Sequence, residues 1–265
     1  MAYFMAASEA ANKGRPSRKA FPEVFMAWSQ FVVKNPNSVL YVHSHIGEEM
    51  AGLDLLFLAR QCGIPDGKLR FCDPYWNIVG FPDTYMANVY RAADVLLSPS
   101  YGEGFGIPIL EAQACGTPVI VGDNTAMREL CFYGWKVSGT PMYTPMGSWQ
   151  FAPSVPEIVR YLERAMKERK NTRDRKIAVD AAQEYDYRLV TKKHWKPVLD
   201  ELEAEVAEAG AGNEMVKLYD ASARGPDDTG AVSHIPGDGG STEDGLATGG
   251  GAAVAGECAH AALEG

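Results

Sequence analysis

The chain has 265 residues, 46% of them apolar, which is enough to bury a core in one large domain or two small ones. Its net charge of −9 is uneven: residues 210–265 hold nine acidic and two basic side chains, a net of −7, so the body carries only −2 and offers no basic face for nucleic acid. Composition also argues against a membrane span, since no run approaches the roughly 18 apolar residues that a crossing helix needs.

Taken in chain order, Tyr3–Ala7 reads as a short apolar strand. A basic loop follows (Asn12–Lys13–Gly14–Arg15–Pro16–Ser17–Arg18–Lys19), and then a helix over 21–33. Val39–His43 reads as a strand, 53–62 as a helix, 69–72 as a strand, 83–91 as a helix and 94–98 as a buried strand. Pro99 to Gly106 is punctuated as a loop. A helix over 108–115, a strand over 119–121 and a short helix over 127–131 come next. Residues 134–153 are rich in Gly, Pro and aromatics, and Trp135, Tyr143, Trp149 and Phe151 there suit packing more than a cleft lining. Helices are expected at 156–170, 173–185 and 191–209. Beyond Gly210, Gly, Ala, Asp and Ser dominate and large apolar residues are few, the composition of a disordered tail. The domain division expected is therefore 1–209 and 210–265. Alternating strands and helices predict an α/β fold with a Rossmann-like parallel sheet flanked by helices.

Five cysteines (Cys62, Cys72, Cys115, Cys131 and Cys258) form no Cys-x-x-Cys pair and accompany no histidine cluster. They read as reduced thiols, with neither zinc nor disulfides, in a cytoplasmic protein. The N-terminus lacks the pattern of a signal peptide.

The chemistry concentrates in Gly102–Glu103–Gly104–Phe105–Gly106–Ile107–Pro108–Ile109–Leu110–Glu111. Two carboxylates stand eight positions apart, separated by a glycine turn and a helix start. The glycines permit a tight turn and a close approach to a ligand. Pro108 suits a first helical turn. Amides at the helix start and the helix dipole favour anionic or oxygen-rich groups. Glu103 is placed to accept hydrogen bonds from sugar hydroxyls, and Glu111, one turn into the helix, from the vicinal hydroxyls of a ribose. Singly, each feature is an ordinary structural one; jointly they are specific.

The segment resembles the Glu-x7-Glu signature of retaining glycosyltransferases of the GT-B fold, family 4, over roughly residues 1–205 and most strongly over 90–130. The resemblance implies a nucleotide-diphosphate-sugar donor site. Glu103 would contact the donor sugar, the backbone of Gly104, Phe105, Gly106 and Ile107 would bind its hydroxyls, and Glu111 would bind the ribose. Two basic residues after the first strand would hold the diphosphate. Lys13 and Lys19 keep that spacing, although the family usually has Arg at the first, and Arg15 or Arg18 could restore bidentate geometry. Contacts to the base would be largely backbone, near 71–77. Glu129 matches a glutamate common at that position in the family. No metal and no cofactor are expected, the donor being a substrate.

The resemblance aligns the chain with the second of two GT-B domains, the one that binds the donor. Its acceptor groups are then expected from another chain, a homo-oligomer or a longer protein. A stripe of Trp195, Val198, Leu199, Leu202 and Val206 is expected to stay exposed as a docking surface. The alternative functions are a non-catalytic nucleotide-sugar-binding subunit and a nucleotide-sugar epimerase.

Overall fold

In a computed structural model, residues 2–6, 18–46, 53–145, 147–169 and 172–210 are described. The tail expected beyond 210 lies outside them. The described residues form two compact units that divide between Asp186 and Tyr187.

The first unit is built on six strands: β1 (Ala2–Ala6), β2 (Ser38–Val42), β3 (Leu69–Phe71), β4 (Val95–Ser98), β5 (Val119–Gly122) and β6 (Gly134–Val137). They lie in the order β3-β2-β1-β4-β5-β6, every neighbour parallel. Parallel strands need both faces covered, and alternate residues supply the two faces. On one side Val95, Leu97 and Ile120 join a core with helices α1 (Phe21–Lys34), α2 (Leu55–Gln61) and α7 (Val155–Glu168). On the other, Leu96, Val119 and Val121 pack with α4 (Asp83–Ala92) and α5 (Ile107–Ala114). Two helices beside these, α3 (Pro74–Val79) and α6 (Thr125–Glu129), are short. Helix α8 (Thr172–Gln183) closes the second face through Ala182.

Helix α1 shows how the sequence produces this packing. Phe21, Val24, Phe25, Trp28, Phe31 and Val32 recur at helical spacing and are all buried. Pro22 fits the first turn, and Asn35 ends the helix by donating from Nδ2 to Phe31 O at 3.1 Å. Trp28 is fully buried, and its truncation to alanine would cost about 3–5 kcal/mol.

Two regions depart from the sequence reading. Helix α3 falls where the sequence reading assigned no element. Its start is nevertheless marked by Asp73, whose carboxylate accepts from Tyr75 N at 3.0 Å and Trp76 N at 3.1 Å, with Pro74 following. Residues 134–153 contain β6 and an antiparallel hairpin, β7 (Gly139–Tyr143) and β8 (Trp149–Pro153). A Cβ on Gly134 would lie 1.9 Å from Val119 O, so the glycine permits close strand approach. Trp135 is core, as packing required, while Tyr143 and Trp149 are exposed and meet edge to face at 5.2 Å.

The second unit holds α9 (Tyr187–Val190), a π-helical turn (Thr191–Trp195) and α10 (Lys196–Gly210). Trp195, Val198, Leu199, Leu202 and Val206 are all exposed. Among the described residues no helix is long and apolar enough to cross a membrane.

Candidate functional site

The strand order reverses between β1 and β4. Connections leaving the carboxyl ends of two such strands run to opposite faces and open a crevice, the usual ligand position in open α/β sheets. Arg18 and Lys19 end the connection from β1 to α1, and Gly102–Gly106 lie in the connection from β4 to α5. The two connections meet. Lys19 Nζ lies 2.6 Å from Glu103 Oε1, and Arg18 Nη1 lies 3.4 Å from Glu103 Oε2. The Lys19 and Glu103 side chains are 9% and 6% exposed, so each carries a charge that would be costly to bury alone. Arg18, half exposed, is the outer member. Lys13 lies outside the described residues.

Tyr101 fixes this meeting. Its N–H donates to Arg18 O at 2.8 Å, and its hydroxyl reaches the Glu23 carboxylate on α1 at 2.9 and 3.0 Å. Its carbonyl accepts from Asn124 Nδ2 and from Phe151 N of the hairpin, both at 3.0 Å. One residue beside the glycine turn thus ties the basic segment, the first helix, the β5–α6 connection and the hairpin together. The amide of Glu103 is held separately: it donates to Thr125 Oγ1 at 3.1 Å.

Gly106 stands at φ 94° before α5, where any side chain would be strained, and a Cβ there would also sit 3.0 Å from Ile109 Cδ1. No side chain caps the helix, Pro108 occupies its first turn, and Gly104, Phe105 and Ile107 are exposed. An uncapped helix start with an accessible glycine turn suits a ligand bearing oxygen atoms or negative charge.

Glu111, the fifth residue of α5, is 7% exposed. Tyr90 on α4 is fully buried and donates its hydroxyl to Glu111 Oε2 at 2.8 Å, while Thr117 Oγ1 donates to Tyr90 O at 2.7 Å. Burial pushes the Glu111 carboxyl up to about 7; the Tyr90 hydrogen bond opposes that rise and Asp83 adds to it. Burial, with Glu111 beside it, drives the Tyr90 phenol well above its ordinary value, so it stays a donor. Glu103 and Glu111 therefore occupy unlike settings at the two ends of one segment.

Other expected positions fall outside this pair of settings. Glu129 is exposed on α6. Cys62, Cys72 and Cys131 are free thiols. Over 71–77, Tyr75 and Trp76 are exposed. Nearby, His43 follows β2 with Tyr41 Oη 3.2 Å from its Nδ1 and the Phe81 ring at 5.3 Å, and burial pushes it down to about 4.

Three residues of the site were not singled out from sequence: Tyr101, Tyr90 and Thr125. Tyr101 precedes the motif directly, but nothing local signals these contacts. Tyr90 read only as part of an apolar helix stripe. Thr125 follows Asn124 in what looks like an ordinary helix entry.

A parallel α/β sheet with a carboxylate, a cation and an uncapped glycine turn at its switch point defines a Rossmann-like domain. Residues 58–145 match the model of the family described as Glycosyl transferases group 1. The chain is 38% identical over 112 residues to D-inositol 3-phosphate glycosyltransferase from Corynebacterium jeikeium, covering 40% of this chain and 25% of that protein. It is 47% identical over 79 residues to the protein of the same name from Salinispora tropica, covering 28% of this chain and 15% of the relative. The chain thus spans a quarter or less of these curated relatives. Among solved structures, alpha,alpha-trehalose 6-phosphate synthase from Burkholderia multivorans superposes with a TM-score of 0.56 at 12% identity, covering 79% of this chain and 44% of that one. At that identity the likeness is one of fold.

Proposed function

We propose that the chain is the donor-binding part of a retaining, GT-B-type glycosyltransferase that takes a nucleotide-diphosphate sugar. The observation that carries this reading is the meeting of Lys19 and Glu103 across the switch point, beside an uncapped helix start. A cation for the diphosphate and a carboxylate for sugar hydroxyls are what such a donor requires at adjacent positions.

Lys19, with Lys13, holds the diphosphate and offsets its charge without a metal, most usefully as charge grows on the leaving group. The amides of Gly104, Phe105, Gly106 and Ile107 and the Glu103 carboxylate hold the sugar, and Glu111 holds the ribose. In transfer, the bond from the anomeric carbon to the diphosphate oxygen breaks. A bond from that carbon to an acceptor hydroxyl oxygen forms on the same face, and the hydroxyl proton passes to the leaving diphosphate. Glu103 positions the sugar and forms no covalent bond to it. The two carboxylates of a retaining hydrolase flank a single bond, whereas Glu103 and Glu111 serve opposite ends of the donor. The acceptor is supplied elsewhere, by a partner chain, a second copy or a longer protein, in the cytoplasm.

The test is donor binding and donor hydrolysis by the chain alone, with UDP-, GDP- and ADP-sugars. Binding of one of them supports the donor site. Binding without turnover, with transfer restored by an added chain, identifies a nucleotide-sugar-binding subunit. Appearance of an epimer of the offered sugar would replace transfer by epimerisation, and no binding at all would remove the proposal.

A further inference from the structure

Thr125 is one of two non-glycine residues among those described with positive φ, at 48°. A β-branched side chain is strained in that region, and such strain persists only where the surroundings impose it. At Thr125 the surroundings are the glycine turn. Its hydroxyl accepts from the Glu103 amide at 3.1 Å, and its Cγ2 methyl would lie 3.6 Å from a Cβ placed on Gly102. The preceding Asn124 is likewise turned to the loop, through Nδ2 to Tyr101 O at 3.0 Å. Asn124 and the first residue of α6 thus hold the loop on both sides of Gly102, with Thr125 in a conformation that glycine would adopt more easily.

A threonine is the costly choice for the backbone and the useful one for the loop. Lys19 and Arg18 constrain the Glu103 carboxylate, but both are cations that a diphosphate would attract away from it. Once they turn to the phosphates, the Thr125 hydroxyl is what still fixes the Glu103 backbone. On the donor-site reading above, we propose that Thr125 is a positioning residue that holds Glu103 on the donor sugar while the cations engage the diphosphate.

The proposal separates stability from recognition. Thr125→Ser keeps the hydroxyl. Thr125→Ala removes it and keeps a strained side chain. Thr125→Gly removes it and relieves the strain. The measured quantity is a ratio: the affinity of the full chain for a nucleotide sugar over that for the matching nucleoside diphosphate, by calorimetry. UDP-glucose with UDP, GDP-mannose with GDP and ADP-glucose with ADP are the probes, and the pair bound best by wild type is used. The expected result is that Thr125→Ala and Thr125→Gly both lower the ratio by roughly three- to tenfold, the worth of one hydrogen bond. Thr125→Ser should preserve it, and Thr125→Gly should melt above Thr125→Ala. An unchanged ratio in the alanine and glycine variants overturns the proposal. So does a ratio that follows melting temperature, with glycine better than alanine, because that would mark a structural role alone. Failure of the donor-site reading appears differently, as a wild-type chain that prefers none of the three sugars to its diphosphate, and it removes this proposal too.

Discussion

Glu103 and Glu111 are the same residue type at the two ends of one loop-and-helix segment, yet their surroundings are opposite. Glu103 lies on a loop and is held by two cations and a strained threonine. Glu111 lies on a helix and is held by a neutral phenol in a buried setting that pushes its carboxyl up to about 7. The first end is built around charge that is already present. The second is built around a carboxyl whose charge depends on pH and on what binds. A donor with a diphosphate and sugar at one end and a ribose at the other fits that division. A metal cluster or a hydrolase carboxylate pair does not.

The largest expected effect falls on the charged end. Glu103→Ala removes the proposed sugar contacts and leaves Lys19 without its carboxylate at 9% exposure. Loss of charged hydrogen bonds worth about 3 kcal/mol should lower transfer by the complete enzyme on the order of a hundredfold. Steady-state kinetics with the acceptor domain present measures it, and retained transfer would dissolve the contrast between the two glutamates.

Next is the buried end. Glu111→Ala should weaken binding of bare nucleoside diphosphate and nucleotide sugar alike, by about tenfold, because ribose is common to both. Calorimetry with both ligands checks this. A loss confined to the nucleotide sugar would exchange the roles of the two residues.

The pH dependence sharpens the comparison. The folded Glu111 carboxyl sits at about 7 against an ordinary 4.5. Its protonated form is therefore favoured by folding, and the stability it brings is complete below about 4.5 and lost as pH rises through about 7. The loss is on the order of 3 kcal/mol. Denaturant titrations should show the wild type losing stability between pH 5 and 8 relative to Glu111→Gln. Nucleotide-sugar affinity should run the other way, rising as the carboxylate forms and levelling above about 7, with Glu111→Gln flat. His43, pushed down to about 4, does not titrate in that window.

The smallest effect belongs to Tyr90→Phe. It removes a hydrogen bond that lowers the Glu111 value, so the midpoint of that affinity profile should move to higher pH. Above the midpoint, affinity should fall only a few-fold. An unshifted midpoint would mean that the phenol has no part in setting the Glu111 charge.

Much of this was readable from the sequence, for local reasons. Strands at 95–98 and 119–122 are short apolar runs, and the helix between them is marked by Pro108 in its first turn and Gly116 after it. Glu103 stands out because glycines flank it, and Glu111 because it falls eight positions further on, inside the helix that follows. The parallel sheet follows from repeated strand–helix units, whereas the strand order that brings Lys19 to Glu103 across 84 positions is visible only in the structure. Other features were hidden because their causes are not local. The φ of Thr125 reflects its contact with a loop 22 residues earlier, and nothing in Asn124–Thr125–Ala126 announces it. Tyr90 acquires its role only when α4 and α5 pack. The strands over 134–153 were concealed because Gly134 serves close strand approach, which is indistinguishable from a turn in sequence.

The account stands on Glu103 reading the sugar of a nucleotide donor. The most direct measurement is calorimetry of the full chain and its Glu103→Ala variant with UDP-glucose, GDP-mannose and ADP-glucose, each against its own nucleoside diphosphate. At least one sugar should bind wild type more tightly than its diphosphate does, and Glu103→Ala should erase that preference while keeping diphosphate binding. A preference that survives the substitution, or a wild-type chain that binds none of the six ligands, would contradict it.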